Sequence, residues 1–438
     1  MAHVHTTWSS GTLTPMELAR LARRRGVEAV FLTDHAAVTA TRGLAPFENL
    51  LAVSRELPSV LPDEAATYLE ALREAQEATG VFLVPGMEVT AHAEWSGLCV
   101  QGMRRHIAVL GLHDPRAWAD LPVPRNFGLL HLSTVPWFPT TVALAGAALA
   151  GAVGRAARSR PGRWSAAAMV AVNLAAAGHL LLSPATPWPV QGPAARRAGW
   201  QPYQAVLNAV RPFGGLAFWA HPDAVPAPRS AKAGPVRVTL EDAPYPEALL
   251  KTSGYVGFEG LIGTATPSLA PGGTWDQAIQ AALARGSEPP WSLACQDFHS
   301  DSESGGWLGE FLVVLRVPES TEAACLEALR RGEFYGVRCS KTDALTLPEF
   351  SLRPSGSGVE LQAAVGSRTP EPVTVSLVRD GALMETVEGE TPLRITRAVA
   401  APLGRATYFR LEVRGPQGLR LVTNPLVWPA RVPQAGAS

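Results

Sequence analysis

The chain has 438 residues, and Lys plus Arg equals Asp plus Glu at 38 each, so its formal net charge is zero. That length holds two or three domains, and a neutral chain with no basic-aromatic stripe offers no field for nucleic acid, which argues against a nucleic-acid partner. Cys99, Cys295, Cys325 and Cys339 are scattered, forming neither a CxxC zinc pattern nor a dense disulfide framework.

In chain order, His3-Val4-His5 follows Met1-Ala2 almost at once. So short a lead suggests a start upstream of Met1, and no signal-peptide h-region is visible. Thr14-Pro15-Met16-Glu17 reads as a capping box with proline at the first helical position. The helix runs through Leu18, Leu21 and Ala22 and should stop at Gly26. Val27 to Leu32 is a short, mostly apolar strand leading into Thr33-Asp34-His35. The unit then repeats. A helix over Asp63 to Thr79 stops at Gly80, and the strand Val81 to Val84 leads to Pro85-Gly86-Met87-Glu88. His106 to Gly111 is another strand. A helix over Tyr203 to Val210 precedes Leu216 to Ala220 and His221-Pro222, and Ser292 to Cys295 precedes Asp297-Phe298-His299. A late helix over Glu319 to Arg331 closes at Gly332. Alternating strands and helices predict parallel β/α architecture, whose chemistry collects at the carboxyl ends of strands. After about residue 345 the pattern alternates with period two, as in Val373 to Val378 and Tyr408 to Val413, which predicts a small antiparallel β-sandwich.

One segment breaks the rhythm. Asn126 to Gly154 and Trp164 to Ala195 contain no Asp, Glu, Lys or Arg, and an arginine-rich turn from Arg155 to Arg163 separates them. Trp137, Trp164 and Trp188 fall near the ends of the two stretches. The pattern predicts a membrane hairpin over about 136–183, with an Ala-rich helical pair packed on the barrel or on a partner subunit as the alternative. Location follows from that choice: membrane-associated if the hairpin spans, cytoplasmic otherwise. The expected domains are 1–125, the first part of a barrel; 126–199, a hydrophobic insertion; 200–344, the second part; and 345–438, the sandwich.

The candidate chemistry lies in the spacing of metal-ligating side chains. His3 and His5 project to one face of an extended strand and can share an ion. A lone HxH is weak. HxH followed about 28 residues later by Thr-Asp-His, then by Gly-x-Glu, His, His-Pro and Asp-x-His, is a strong signal. His92 competes with His106, since both follow Glu88, but the strand Ile107 to Leu110 favours His106. His92, His113, His131 and His179 fall outside the pattern. Arg104, Arg105, Arg338 and Lys341 are candidates to neutralise a substrate phosphate, with Arg338 chosen as the substrate-binding residue. The absence of a P-loop, a GxSxG or a Cys-His-Asn order argues against a covalent nucleophile.

These residues resemble the PHP family, the polymerase and histidinol phosphatase metallohydrolases. The resemblance rests on His3-Val4-His5-Thr6, Leu32-Thr33-Asp34-His35, Pro85 to Thr90, His106 to Leu110, Phe218 to Pro222 and Asp297 to Ser300. Gly332 to Tyr335 and Thr423 to Leu426 resemble the branch with a C-terminal β domain, while 126–199 matches nothing expected in the family core. The resemblance implies an α/β fold: a distorted (β/α)7 PHP-type barrel with a helical insertion and a C-terminal β-sandwich. It also implies two or three divalent ions, Zn, Mn or Fe. His3, His5, Glu88 and Asp297 would hold the first. Glu88 would bridge to a second with His106 and His221, and His35 with His299 would hold a third. A carboxylate between two cations offsets their repulsion, and two close ions acidify a shared water. Glu88, Asp297 and Asp34 are then the catalytic carboxylates, Asp34 orienting a ligand histidine or a water. Ser10 stands where the family usually has aspartate, so the third site should be weak. The implied activity is a metal-dependent phosphoesterase acting on a small phosphorylated substrate, a phosphomonoester or nucleotide. A hydrolase of another ester or carbamate bond, and a membrane-tethered scaffold with a degenerate metal site, stay open as alternatives.

Overall fold

A computed structural model describes the whole chain except residues 37–38, 44–51, 57, 97–98, 123–136, 182–196, 226–227, 234–235, 264–265, 302–305, 356–357, 401–404 and 430–438. Trp188, His131 and the outer parts of the uncharged segment lie outside the described residues.

The first helix, Pro15–Arg24, forms where its signals stand. Thr14 accepts from the Glu17 N–H, the Glu17 carboxylate accepts from the Thr14 N–H at 2.9 Å, and Gly26 takes φ 71°. Helices Ala65–Thr79 and Glu322–Arg331 end on left-handed Gly80 and Gly332. Gly332 cannot be replaced cheaply, because a Cβ there would meet the Trp291 ring at 2.5 Å.

Nine strands form one curled sheet. In spatial order they are Asp34–His35, Gly86–Thr90, His106–Leu110, Leu216–Trp219, Gly257–Leu261, Trp291–Phe298, Ala2–Val4, Ala29–Leu32 and Phe82–Val84. Only Thr33 separates two of these strands, and only Pro85 separates two others. The two ends of the sheet are therefore continuous with each other through those residues, and the sheet curls back as a barrel-like structure. Neighbours are parallel except His106–Leu110, which runs against both of its partners. That reversal brings the start of this strand to the end of the barrel where the other strands finish.

Side chains alternate across the curl. Val30, Leu32, Ile107, Val109, Ala217 and Trp219 face the helices, where they pack with Leu18, Leu72 and Val206. Ala29, Phe31, Ala108, Leu110, Leu216 and Phe218 form an inner cluster. Because both faces are buried, these strands read as unbroken apolar runs in the sequence.

The C-terminal part is two antiparallel sheets around their own core. One runs Phe311–Leu315, Phe334–Arg338, Arg420–Thr423, Thr407–Arg414, Pro372–Arg379 and Ala382–Glu390, with Leu426–Trp428 also on Thr407–Arg414. The other is Thr346–Ser355, Gly358–Gly366 and Leu393–Val399. The first sheet thus recruits two strands that precede residue 345.

The uncharged segment is helical, as Trp137–Ala156 and Arg160–Leu181. The transmembrane reading of 136–183 is corrected, however: among the described residues no helix is long and apolar enough to cross a membrane. Alanine, glycine, Thr140, Thr141 and Asn173 dilute the apolar content. The two helices meet through small residues, with Gly154 against Ala166 and Gly146 against Asn173.

Candidate metal centre

The ligand candidates gather at one end of the barrel. His3 lies within Ala2–Val4 and His5 follows its end, His35 ends its strand, Glu88 sits mid-strand, and His106 begins the reversed strand. Glu88 pairs with Ala108 in register, so Glu88 and His106 share the inner face. Three of the five non-glycine residues with positive φ among the described residues belong here: His3 at 60°, His221 at 31° and Asp297 at 50°. Strain of this kind persists only where surrounding contacts enforce it.

Four side chains converge. Nε2 of His3 lies 3.4 Å from a Glu88 oxygen and 3.3 Å from Asp297 Oδ1. Nε2 of His5 lies 3.5 Å from the other Glu88 oxygen and 3.2 Å from Asp297 Oδ1. Neither nitrogen makes a hydrogen bond, although both are buried. Orphaned buried nitrogens cost stability unless something else fills their lone pairs. Two ligands held at about 2.1 Å by one tetrahedral ion stand roughly 3.4 Å apart, so the observed spacing fits a shared ion. Glu88, His106 and His221 form a second group around the same carboxylate. His221 Nε2 is 3.0 Å from Glu88 Oε1, and His106 Nδ1 makes a very close contact with that oxygen.

The far nitrogens of these rings are engaged, which sets their tautomers. His3 Nδ1 donates to Glu259 at 2.7 Å, and His106 Nε2 donates to the Met103 carbonyl at 2.7 Å. His5 Nδ1 faces Ser9 Oγ at 3.3 Å while Ser9 donates to Asp34 at 2.6 Å, so the serine receives the imidazole proton. His221 Nδ1 lies 3.5 Å from the Tyr245 hydroxyl, which donates to the Ala220 carbonyl. In the neutral imidazoles the near nitrogens would then carry the lone pairs, the state a metal requires.

Asp34 lies behind the cluster, fully buried. It accepts from the Thr6 N–H at 2.7 Å, Ser9 Oγ at 2.6 Å, Thr6 Oγ1 at 2.8 Å and Tyr68 OH at 3.0 Å. It staples the Thr6–Gly11 loop and, through Ser9, orients His5. Gly11 permits that loop, since a Cβ there would sit 2.2 Å from the His5 carbonyl.

His35 and His299 reach the shared carboxylates, at 3.0 Å from Glu88 and 3.1 Å from Asp297. They join neither the four-residue nor the three-residue group among the described residues. Ser10 is exposed, with Oγ 3.0 Å from His299 Nδ1.

Charge tracks this geometry. Burial opposes ionisation of Glu88, but the His106, His3 and His35 charges hold it well below the usual carboxylate range. Burial likewise opposes Asp297, and the His3 charge holds it well below. Burial pushes His5 down to about 4. At His3, His35 and His221 burial pulls downward, yet the facing carboxylates raise all three.

A cavity of about 340 Å³ opens over the cluster, and Arg104, Arg229 and Asp242 line its wall. Arg338, the substrate candidate, is placed elsewhere. It pairs with Glu310 at 3.0 Å, lies over the Phe311 ring, and does not line this cavity. Arg105 is likewise directed away from the cavity, onto the Trp200 ring. Sequence reasoning missed Arg229, which begins a hairpin strand with no motif around it, and Glu259, whose one signal is a lone charge within the apolar run Gly257-Phe258-Glu259-Gly260-Leu261.

No family model matches the chain, and no curated protein matches it. Among solved structures it is similar to a provisionally assigned metal-dependent phosphoesterase from Bifidobacterium adolescentis. Identity is 17% and the TM-score 0.33, over 76% of this chain and 95% of that one. An amidohydrolase from Chromobacterium violaceum, with bound sulfate and no metal, is 19% identical with a TM-score of 0.30, over 70% of this chain and 89% of that one. Likeness at this level does not define a common fold.

Proposed function

We propose that the protein is a metal-dependent hydrolase acting on a phosphoric ester of a small molecule. The observation that carries this reading is the pair of buried, orphaned Nε2 atoms of His3 and His5 facing Glu88 and Asp297 at ligand spacing. Imidazoles with carboxylates suit Zn, Mn or Fe. His3, His5, Glu88 and Asp297 would hold one ion, and Glu88, His106 and His221 a second. Such ions supply Lewis acidity and an acidified water. The chain does the rest. Glu88 keeps two clusters of histidine in register with one carboxylate. Ser9, Met103 and Tyr245 hold imidazole protons away from the cavity. Arg104 and Arg229 would meet the anionic oxygens of the substrate, which favours a phosphoryl group over a neutral ester.

The test is turnover of p-nitrophenyl phosphate, bis-p-nitrophenyl phosphate and p-nitrophenyl acetate with added Mn2+ or Zn2+, beside Glu88→Gln. The expected result is phosphomonoester hydrolysis that the variant lowers by at least about a hundredfold, since removing the shared ligand disturbs both ions. Turnover confined to the acetate would overturn the phosphoric-ester assignment. Turnover equal in the variant would overturn the metal-centre reading.

A further inference from the structure

Glu259 lies at the back of the cluster, on the strand Gly257–Leu261, and is only 1% exposed. Among the described residues each of its oxygens meets one nitrogen donor. Oε1 accepts from His3 Nδ1 at 2.7 Å, and Oε2 accepts from the main-chain N–H of His221 at 2.9 Å. His3 belongs to the four-residue group and His221 to the three-residue group, so one carboxylate reaches both. Both residues also have left-handed backbone, at φ 60° and 31°, a conformation that needs outside support. Cys295 lies within 4.8 Å of His3 and Glu259, and its thiol also interacts with this carboxylate. Glu259 meets the back nitrogen of His3, Nδ1, while Nε2 on the other side of the ring faces Glu88 and Asp297. Glu259 therefore orients the ligands and does not itself bind the ion.

We propose that Glu259 is a positioning residue that ties His3 to His221, so that the two metal groups are built as one unit. The inference rests on the metal-centre reading above. Its physical basis is that two nitrogen donors, one from each metal group, meet two acceptors. Glutamine at this position offers one acceptor and one donor, so it serves one partner at the expense of the other. If its amide nitrogen faces His3, the imidazole proton must move to Nε2 and block the front group. If it faces His221, a buried N–H is orphaned and the peptide that aims the ring loses its hold.

Two measurements test this. The first uses the unaltered, metal-free protein, titrated upward in pH until the His3 ring carries a single proton. Imidazole 15N shifts should place the His3 proton on Nδ1, and a proton on Nε2 would overturn the proposal. The second is Zn2+ calorimetry on the apo protein and on Glu259→Gln. Both ions should bind ten- to a hundredfold more weakly in the variant, the usual effect of losing a partner behind a ligand. Affinities within twofold, or weakening of one ion alone, would overturn the tie while leaving the metal centre standing. No Zn2+ uptake by the unaltered protein would instead sink the metal centre itself. A variant that fails to fold leaves the tautomer measurement to decide.

Discussion

At the residue scale, protons and any bound metal would compete for the same imidazoles. His3, His35 and His221 are raised above 6.5 by facing carboxylates, while burial holds His5 at about 4. A raised histidine keeps its proton below its new pKa, and an ion must displace that proton. Metal affinity should therefore be full above the raised values and fall as pH drops through them, already above the ordinary histidine range. Calorimetry at about pH 8.5 and about pH 6.5 should show weaker binding with proton release at the lower value, and a flat profile would refute the account. Asp34 makes a separate prediction. Asp34→Ala strips four donors of their acceptor in a buried site and should cost at least ~3 kcal/mol in urea unfolding. A loss under ~1 kcal/mol would mean that the loop holds itself. Much of this cluster could be read in the sequence because its histidines and carboxylates stand in or just after short apolar strand runs. Asp34 was visible only as a neighbour of His35, and its role depends on Thr6, Ser9 and Tyr68 folding around it. Glu259 carries no neighbouring motif, and its partners are 256 and 38 positions away. No local pattern can express such contacts.

At the element scale, the capping signals at Thr14, Gly80 and Gly332 marked helix ends because a cap is chemistry within four residues. The helical pair over 137–181 was visible for the same reason, through long uncharged runs. What those runs face is a tertiary question. Val142, Leu144, Leu149, Val153, Trp164, Met169, Val172 and Leu174 are all exposed. None of the helical pair's residues enters the three hydrophobic clusters of the described residues. Replacing 137–181 by a short Gly-Ser linker should therefore leave Zn2+ stoichiometry unchanged and Tm within about 2 °C. A fall of more than ~8 °C, roughly 2 kcal/mol or more for a domain of this size, would show that the pair supports the barrel.

At the scale of the whole molecule, barrel and sandwich are joined by buried charge. Arg410 makes two bonds to Asp276, at 2.8 and 2.6 Å, Tyr408 adds a third at 2.9 Å, and the guanidinium lies 5.0 Å over Trp275. Asn424 adds a neutral tie, accepting from Ser292 N–H at 2.8 Å and donating to the Gly332 and Phe334 carbonyls. Asp276→Ala leaves a buried guanidinium without its counter-charge, and denaturant unfolding should show a loss of about 3–5 kcal/mol. A loss near zero would mean that water reaches the pair. Antiparallel strands after residue 345 were foreseen from period-two alternation, but the reach of one sheet back to Phe311 was not. Phe311–Leu315 and Phe334–Arg338 flank a helix, so along the chain they keep the β/α rhythm of the barrel. Only their antiparallel pairing, with each other and with Arg420–Thr423, assigns them to the other sheet.

The placement of Ala2–Val4 between Trp291–Phe298 and Ala29–Leu32 bears on how the protein is made. His3 leaves the ribosome 294 residues ahead of Asp297. At ~5–20 residues per second that is roughly 15–60 s of synthesis. Throughout that interval the first strand has one open edge, and two imidazoles wait without the carboxylate that completes their set. On the proposed metal-centre reading, capture of the ion would be a late event, coinciding with closure of the sheet. Scarcity of metal during translation should lower the yield of closed chains as well as their activity.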